Sequence, residues 1–409
     1  MVVTLNKKNA YILIIGILVA YFFQGVIHNL GHPVTPDYVK GLEFPDQMFG
    51  YFFAAMNLGL VVGSPLFGYL GDRNHRKFYV VLGMFLYGVF QLFFGVINFS
   101  PYLMIVFRFF AGFFVAAPAT LILAEVIGRI DSKDRIKILS AMIALNTLGA
   151  SIGYQLGGWL GTKLDSQEIV FIIQSITNTF LALGLFLFIQ FHNKTVEPVS
   201  KRTSLQLKKV KQLISENKSL FVFFIILMLM NMAFINVSKY LDIFIVNDLK
   251  FTSSQLGTFV MVTGIIAMLT NLFIVPLFIK DNKATMYIKW MLLVGFVALL
   301  STFLFPNESI MTALYTIFLV YVISRSVITP LEQGHISTHA KDSNYGTIMG
   351  MRQLFISLAS IIGPIVGGYL YAYDKRLVFW VSVIIIGFSF IIVVFTTKKP
   401  RLSTESTTE

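Results

Sequence analysis

Long apolar runs alternate with short polar breaks along the whole chain. About twelve runs stand out, near residues 10–30, 47–70, 78–97, 101–127, 138–161, 169–191, 219–246, 254–279, 286–305, 309–336, 346–371 and 377–396. Each is close to the roughly 20 residues that a helix needs to cross the hydrocarbon core of a bilayer. A segment in lipid must satisfy its own backbone, so helix is the expected conformation. The runs are far too long for barrel strands, which take about ten residues each. The pattern predicts an all-α polytopic membrane protein with twelve transmembrane helices.

Composition agrees with that pattern. The 409 residues are 56% hydrophobic and only 13% charged. Soluble domains carry about 25% charged residues. The chain has no cysteine, so disulfides, thiolate nucleophiles and cysteine metal sites are excluded. No His/Asp/Glu grouping has metal-ligand spacing, and no nucleotide-binding loop is present. Neither a metal nor a cofactor is expected.

The net charge of +12 would suit nucleic acid if it formed one patch. Here the bases sit in alternate loops. One set holds Lys7/Lys8, Arg73/Arg76/Lys77, Arg129/Lys133/Arg135/Lys137, the 192–218 segment, Lys280/Lys283/Lys289, Lys341 and Lys398/Lys399/Arg401. The other holds only Lys40, Lys163, Lys250, Lys375 and Arg376. The positive-inside bias places both termini in the cytoplasm, as an even number of spans requires. The expected location is the plasma membrane of a bacterial cell, with membrane lipids and a small-molecule substrate as partners, no nucleic acid, and a monomer as the unit.

Residues 192–218 form the one long polar connection. They divide the chain into an N-terminal six-helix bundle (1–191), a basic cytoplasmic linker (192–218), a C-terminal six-helix bundle (219–396) and a cytoplasmic tail (397–409). An internal repeat supports two halves. Gly153-x-x-x-Gly157-Gly158-x-Leu160 returns as Gly363-x-x-x-Gly367-Gly368-x-Leu370, and Pro65, Asp72 and Pro118 find Pro276, Asp281 and Pro330 at a similar offset. Two pseudo-symmetric halves of the same orientation are one of the known transporter architectures.

The most specific local signal is Gly68-Tyr69-Leu70-Gly71-Asp72-Arg73-Asn74-His75-Arg76-Lys77, which joins spans 2 and 3. It resembles the loop between the second and third helices of the major facilitator superfamily, roughly G-x-L-x-D-R-x-G-R-K/R, with His75 standing where the family has glycine. The resemblance implies a gate made of Gly68, Asp72, Arg73, Arg76 and Lys77 that latches the two halves in the outward-facing state. Gly68 and Gly71 are expected to bring span 2 close to a neighbouring backbone. Arg108-x-x-x-Gly112 on span 4 resembles a second pattern of the superfamily, whose arginine is linked to proton coupling. Gly149-x-x-x-Gly153-Tyr154-x-x-Gly157-Gly158 on span 5 is similar to the G-x-x-x-G-P-x-x-G-G pattern of its antiporter branch. Tyr154 departs from that pattern, and the expected Gly-Pro pair stands instead at Gly363-Pro364. With Gly367 and Gly368, these glycines are the expected helix-packing seams.

Ionisable residues inside spans are costly and mark functional paths. Besides Arg108, they are Lys239 and Asp242 on span 7 and Arg325, Glu332 and His335 on span 10. Lys239 and Asp242 are three residues apart and are expected to pair with each other. Glu332, with no adjacent base in sequence, is the preferred proton carrier, ahead of Asp242; Arg108 and Arg325 complete the candidates for proton coupling. Polar groups expected to line the path are Gln24, His28, Asn29, Asn57, Gln155, Asn231, Lys239, Gln333, His335 and Gln353.

The expected function is a secondary transporter working by alternating access, not an enzyme. Its expected mode is proton-coupled export of a lipophilic or amphipathic small molecule, as in multidrug efflux. Because of Tyr154, a symporter or uniporter that imports a nutrient or metabolite stays open. So does a lipid or glycolipid flippase.

Overall fold

The computed structural model describes residues 7–73, 75–127, 135–188, 218–279, 283–338 and 345–396. The basic 192–218 linker, except its last residue, and the 397–409 tail lie outside these residues. Among the described residues twelve long helices follow one another: α1 (Lys7–Asn29), α2 (Gln47–Arg73), α3 (Arg76–Val96), α4 (Pro101–Ile127), α5 (Arg135–Lys163), α6 (Glu168–Phe188), α7 (Lys218–Ile243), α8 (Ser253–Leu269), α9 (Ala284–Leu304), α10 (Ile317–Thr338), α11 (Tyr345–Tyr373) and α12 (Leu377–Thr396). Wide π-helical turns extend α7 through Phe244–Asp248 and α8 through Thr270–Ile274. Such turns often mark functional positions.

Ten of these helical segments are long and apolar enough to cross a membrane. In α1 the described apolar stretch is shorter, Ile14–Asn29. The helix α5 is the least hydrophobic because glycine and small polar residues fill it. It lies between α1 and α8, so both flanks are covered by protein.

The packing repeats with a period of six helices. In the first half α1 packs on α5, α2 on α4, and α3 on both α4 and α6. In the second half α7 packs on α11, α8 on α10, and α9 on both α10 and α12. The halves meet along two seams, α2 against α11 and α5 against α8. This is the twelve-helix, two-bundle membrane fold that the hydrophobic pattern predicts.

Glycines set the distance at these crossings. A Cβ on Gly149, Gly153 or Gly157 would run into the carbonyls of Phe22, Val26 and Leu30 on α1. Both triplets have a spacing of four, so one ridge of α5 lies in one groove of α1. In the second half, a Cβ on Gly367 would meet the side chains of Tyr240 and Asn236 of α7, and one on Gly363 would press on Met232. The next residue in each repeat faces the other half. Gly158 meets the Ser253 carbonyl of α8, and Gly368 meets Gln47 of α2. One Gly-Gly pair therefore closes a bundle with its first glycine and joins the bundles with its second.

The contact of α2 with α4 departs from the expectation. Close backbone approach occurs at Gly59 and Gly63, against Phe109 and Phe113, and at Gly112 against Met56. A Cβ on Gly68 would come only to 3.7 Å from the Thr120 methyl group, and one on Gly71 would meet the Leu121 side chain.

Candidate functional site

Hydrogen bonds that join the halves cluster at the end of the bundle opposite the basic loops. Tyr51 and Tyr369 share a hydrogen bond of 2.6 Å between α2 and α11, and Lys375 pairs with Asp46. Lys40 donates to the Asn247 carbonyl at 3.3 Å. The Ser254 backbone N–H donates to the Thr162 hydroxyl at 3.2 Å. Ser253 donates to Asp37 at 3.2 Å; burial raises the Asp37 carboxyl from its ordinary range, and this hydrogen bond partly offsets the rise.

Deeper in the bundle, Tyr154 of α5 reaches across to α7. Its hydroxyl donates to Asp242 Oδ2 at 3.3 Å and accepts from Lys239 Nζ at 3.3 Å. The ring stacks on His32, with centroids 5.6 Å apart. His32 in turn stacks on Phe53, whose face receives the Lys239 ammonium at 4.8 Å. The expected direct pair of Lys239 with Asp242 is thus replaced: the tyrosine hydroxyl stands between them. Spacing along one helix could not reveal this, because the third member comes from the other half.

Arg108 is almost fully buried, 4% exposed. Its guanidinium lies 3.7 Å from the Phe94 ring centroid and donates to Gln91 Oε1 at 3.1 Å. Gln91 also donates to the Tyr87 hydroxyl, and Tyr87 packs its ring on His28 at 4.3 Å. Arg325 lies over the Phe234 ring at 5.3 Å.

Glu332 is buried and paired with Arg352 of α11 at 2.8 Å. No base is adjacent to Glu332 in sequence, but this one comes from another helix. His335 does not reach it; its ring contacts Thr285 at 3.3 Å and Phe223. Arg352 escaped the sequence reading, although a base inside span 11 is itself the signal that should have exposed it. Removing the Glu332 carboxylate would strand a partly buried guanidinium, at a cost of about 3–5 kcal/mol. Glu332→Ala is therefore expected to lower the thermal unfolding midpoint in detergent strongly, with Arg352→Ala giving a similar loss. An unchanged midpoint in both would remove the structural role of the pair.

In the loop between α2 and α3, Arg76 pairs with Glu125 at the end of α4 at 2.9 Å, and Glu125 is 1% exposed. Lys77 lies 5.0 Å from the Phe186 ring centroid. The side chains of Asp72 and Arg73 are outside the described residues. His75 has φ 58°, a left-handed backbone that L residues adopt only at a cost. This is why glycine is the usual residue at that place in the pattern.

The remaining polar candidates divide. Gln24 is buried, and its Oε1, like those of Gln155 and Gln174, has no hydrogen-bond partner among the described residues. Asn29, Asn57 and Asn231 donate to carbonyls four residues back in their own helices, at 2.8–2.9 Å. Gln333 and Gln353 are exposed.

The Major Facilitator Superfamily model matches residues 13–340 and 288–409. Multidrug resistance protein 2 of Bacillus subtilis is 23% identical over 375 residues, covering 90% of each chain. The quinolone resistance protein NorA of Staphylococcus aureus is 24% identical over 374 residues, 89% of this chain and 90% of its own. Among solved structures, a mutant of the nucleoside transporter NupG superposes with a TM-score of 0.82 at 14% identity, over 94% of this chain and 100% of its own. A bacterial homologue of the lysosomal transporter Spinster, inward-facing, gives 0.73 at 12% identity, over 96% and 95%. With a matching model along nearly its whole length and the twelve-helix fold on which those transporters are built, the chain belongs to the Major Facilitator Superfamily.

Proposed function

We propose that this protein is a proton-coupled exporter of amphipathic small molecules that works by alternating access. The observation that carries the reading is the Lys239–Tyr154–Asp242 chain. It places an ionisable pair on the contact between two halves that must separate and re-form in every cycle. The drug-resistance relatives supply the direction and the breadth of substrate. The positive-inside rule puts the basic-loop end and both termini in the cytoplasm of a bacterial cell. The seams of Tyr51–Tyr369 and Ser253–Asp37 then close the outer side, and the working unit is a monomer.

Asp242 is the preferred proton carrier, because its partners lie in both halves. Glu332, held by Arg352 within one half, serves structure. Arg76, Lys77 and the flanking Asp72 and Arg73 act as the inner gate, with Arg76 anchored on Glu125.

The test is proton flux in proteoliposomes that contain a trapped pH dye. A panel of lipophilic cations, organic anions and sugars is added on one side. Proton movement opposite to the substrate is expected, and Glu332→Gln should retain it. Proton and substrate moving in the same direction would make the protein an importer. Substrate movement with no proton flux would sink the coupling.

A further inference from the structure

The middle of the bundle carries more fixed positive charge than its carboxylates balance. Arg108 and Arg325 rest on phenylalanine faces, and neither forms an ion pair among the described residues. Arg108 Nε has no hydrogen-bond partner among them. Lys239 reaches the single nearby carboxylate, Asp242, only through Tyr154. Arg108 donates to Met56 Sδ, three residues along α2 from the Phe53 ring that carries Lys239, and Arg325 lies over Phe234, five residues before Lys239 on α7, so the three cations border the same stretch of the bundle. The two other buried acids among the described residues cannot compensate them. Glu125 and Glu332 lie toward the basic-loop end, each with its own arginine.

A desolvated cation without a counter-charge is expensive in a membrane interior. Ring faces recover only part of that cost. A guanidinium also offers a fork of donors that matches a carboxylate in two parallel hydrogen bonds. The surroundings are aromatic: Phe53, Phe94, Phe234 and Tyr321, whose buried hydroxyl has no partner among the described residues.

We infer that the exported substrate is an organic anion with an aromatic body, its acidic group held between Arg108 of α4 and Lys239 and Arg325 of α7 and α10. This rests on the transporter reading above and narrows it. A lipophilic cation would meet three like charges in the same place.

The test uses two xanthene dyes of similar shape and opposite charge, carboxyfluorescein and rhodamine 6G, in proteoliposomes with an imposed proton gradient. The expected result is saturable transport of carboxyfluorescein and none of rhodamine 6G. Arg108→Gln is expected to raise the apparent KM for carboxyfluorescein about tenfold or more, and Arg108→Lys to restore part of the loss. Should Arg108→Gln fail to give a monodisperse protein, Arg325→Gln carries the same expectation. Transport of rhodamine 6G alone would overturn the anion inference and leave the exporter reading standing. Carboxyfluorescein transport unaffected by either glutamine variant would overturn the binding site. If neither dye moves, both the inference and the exporter reading fall.

Discussion

Leucine at Gly50 is expected to abolish transport while the protein stays folded. A Cβ there would collide with the Pro364 carbonyl of α11 and crowd the Tyr240 hydroxyl. A backbone carbonyl cannot swing aside as a side chain can. Overpacking of this kind costs about 1–3 kcal/mol even after relaxation. The least costly relaxation is separation of the halves at that end, because it breaks only contacts that the transport cycle breaks in any case. The protein is then held open at the end opposite the basic loops. Leucine at Gly158, against the Ser253 carbonyl, is expected to act in the same way through the other seam.

A control separates wedging from misfolding. Gly112→Leu and Gly157→Leu meet the carbonyls of Met56 and Leu30, inside one half. No functional motion relieves those collisions, so these variants are expected to lose yield and thermal stability instead. The chain contains no cysteine, so one introduced thiol reports without background. Ser253→Cys, buried at the outer seam (3% exposed), is expected to react about tenfold faster with an impermeant maleimide when Gly50 is leucine. Unchanged labelling with intact transport would show that the seam is not a gate.

The sequence made the spans and the Gly-Gly repeats legible, because each follows from local pattern: length, hydropathy and small-residue spacing. Which glycine of each pair faces the other half is shown only by the packing. What stayed hidden depends on contacts between distant segments. Glu332 looked free because Arg352 is on another helix. Lys239 and Asp242 looked like a local pair because spacing cannot show an intervening side chain. Tyr154 was noticed only as a departure from the antiporter pattern, yet it joins Lys239 and Asp242 from the other half. Gln91, which holds Arg108, carried no signal at all. An amide in an apolar span is common, and only its distance to the guanidinium gives it meaning.

Asp242→Asn is expected to convert the exporter into a passive carrier. As a carboxylate, Asp242 accepts from Tyr154, which also accepts from Lys239. These charge-assisted bonds are about twice as strong as neutral ones, and they tie α5 to α7 across the halves. On the proposed reading, the empty, deprotonated carrier is therefore locked with the end opposite the basic loops closed. Protonation removes the charge and loosens the lock. An anionic substrate that draws Lys239 toward itself loosens it as well. Either occupant alone permits the crossing and the empty carrier is refused, which is the condition for exchange without leak. Asparagine keeps the size of the side chain and makes the loosened form permanent. One proton coupled to a gradient of one pH unit supports about tenfold substrate accumulation. In Asp242→Asn the accumulation ratio should fall to about one, while downhill transport and counterflow continue. Tyr154→Phe preserves the stack on His32 but removes the hydroxyl, so partial loss of accumulation is expected. Full accumulation in Asp242→Asn, or its loss in Glu332→Gln instead, would assign the proton to the other carboxylate.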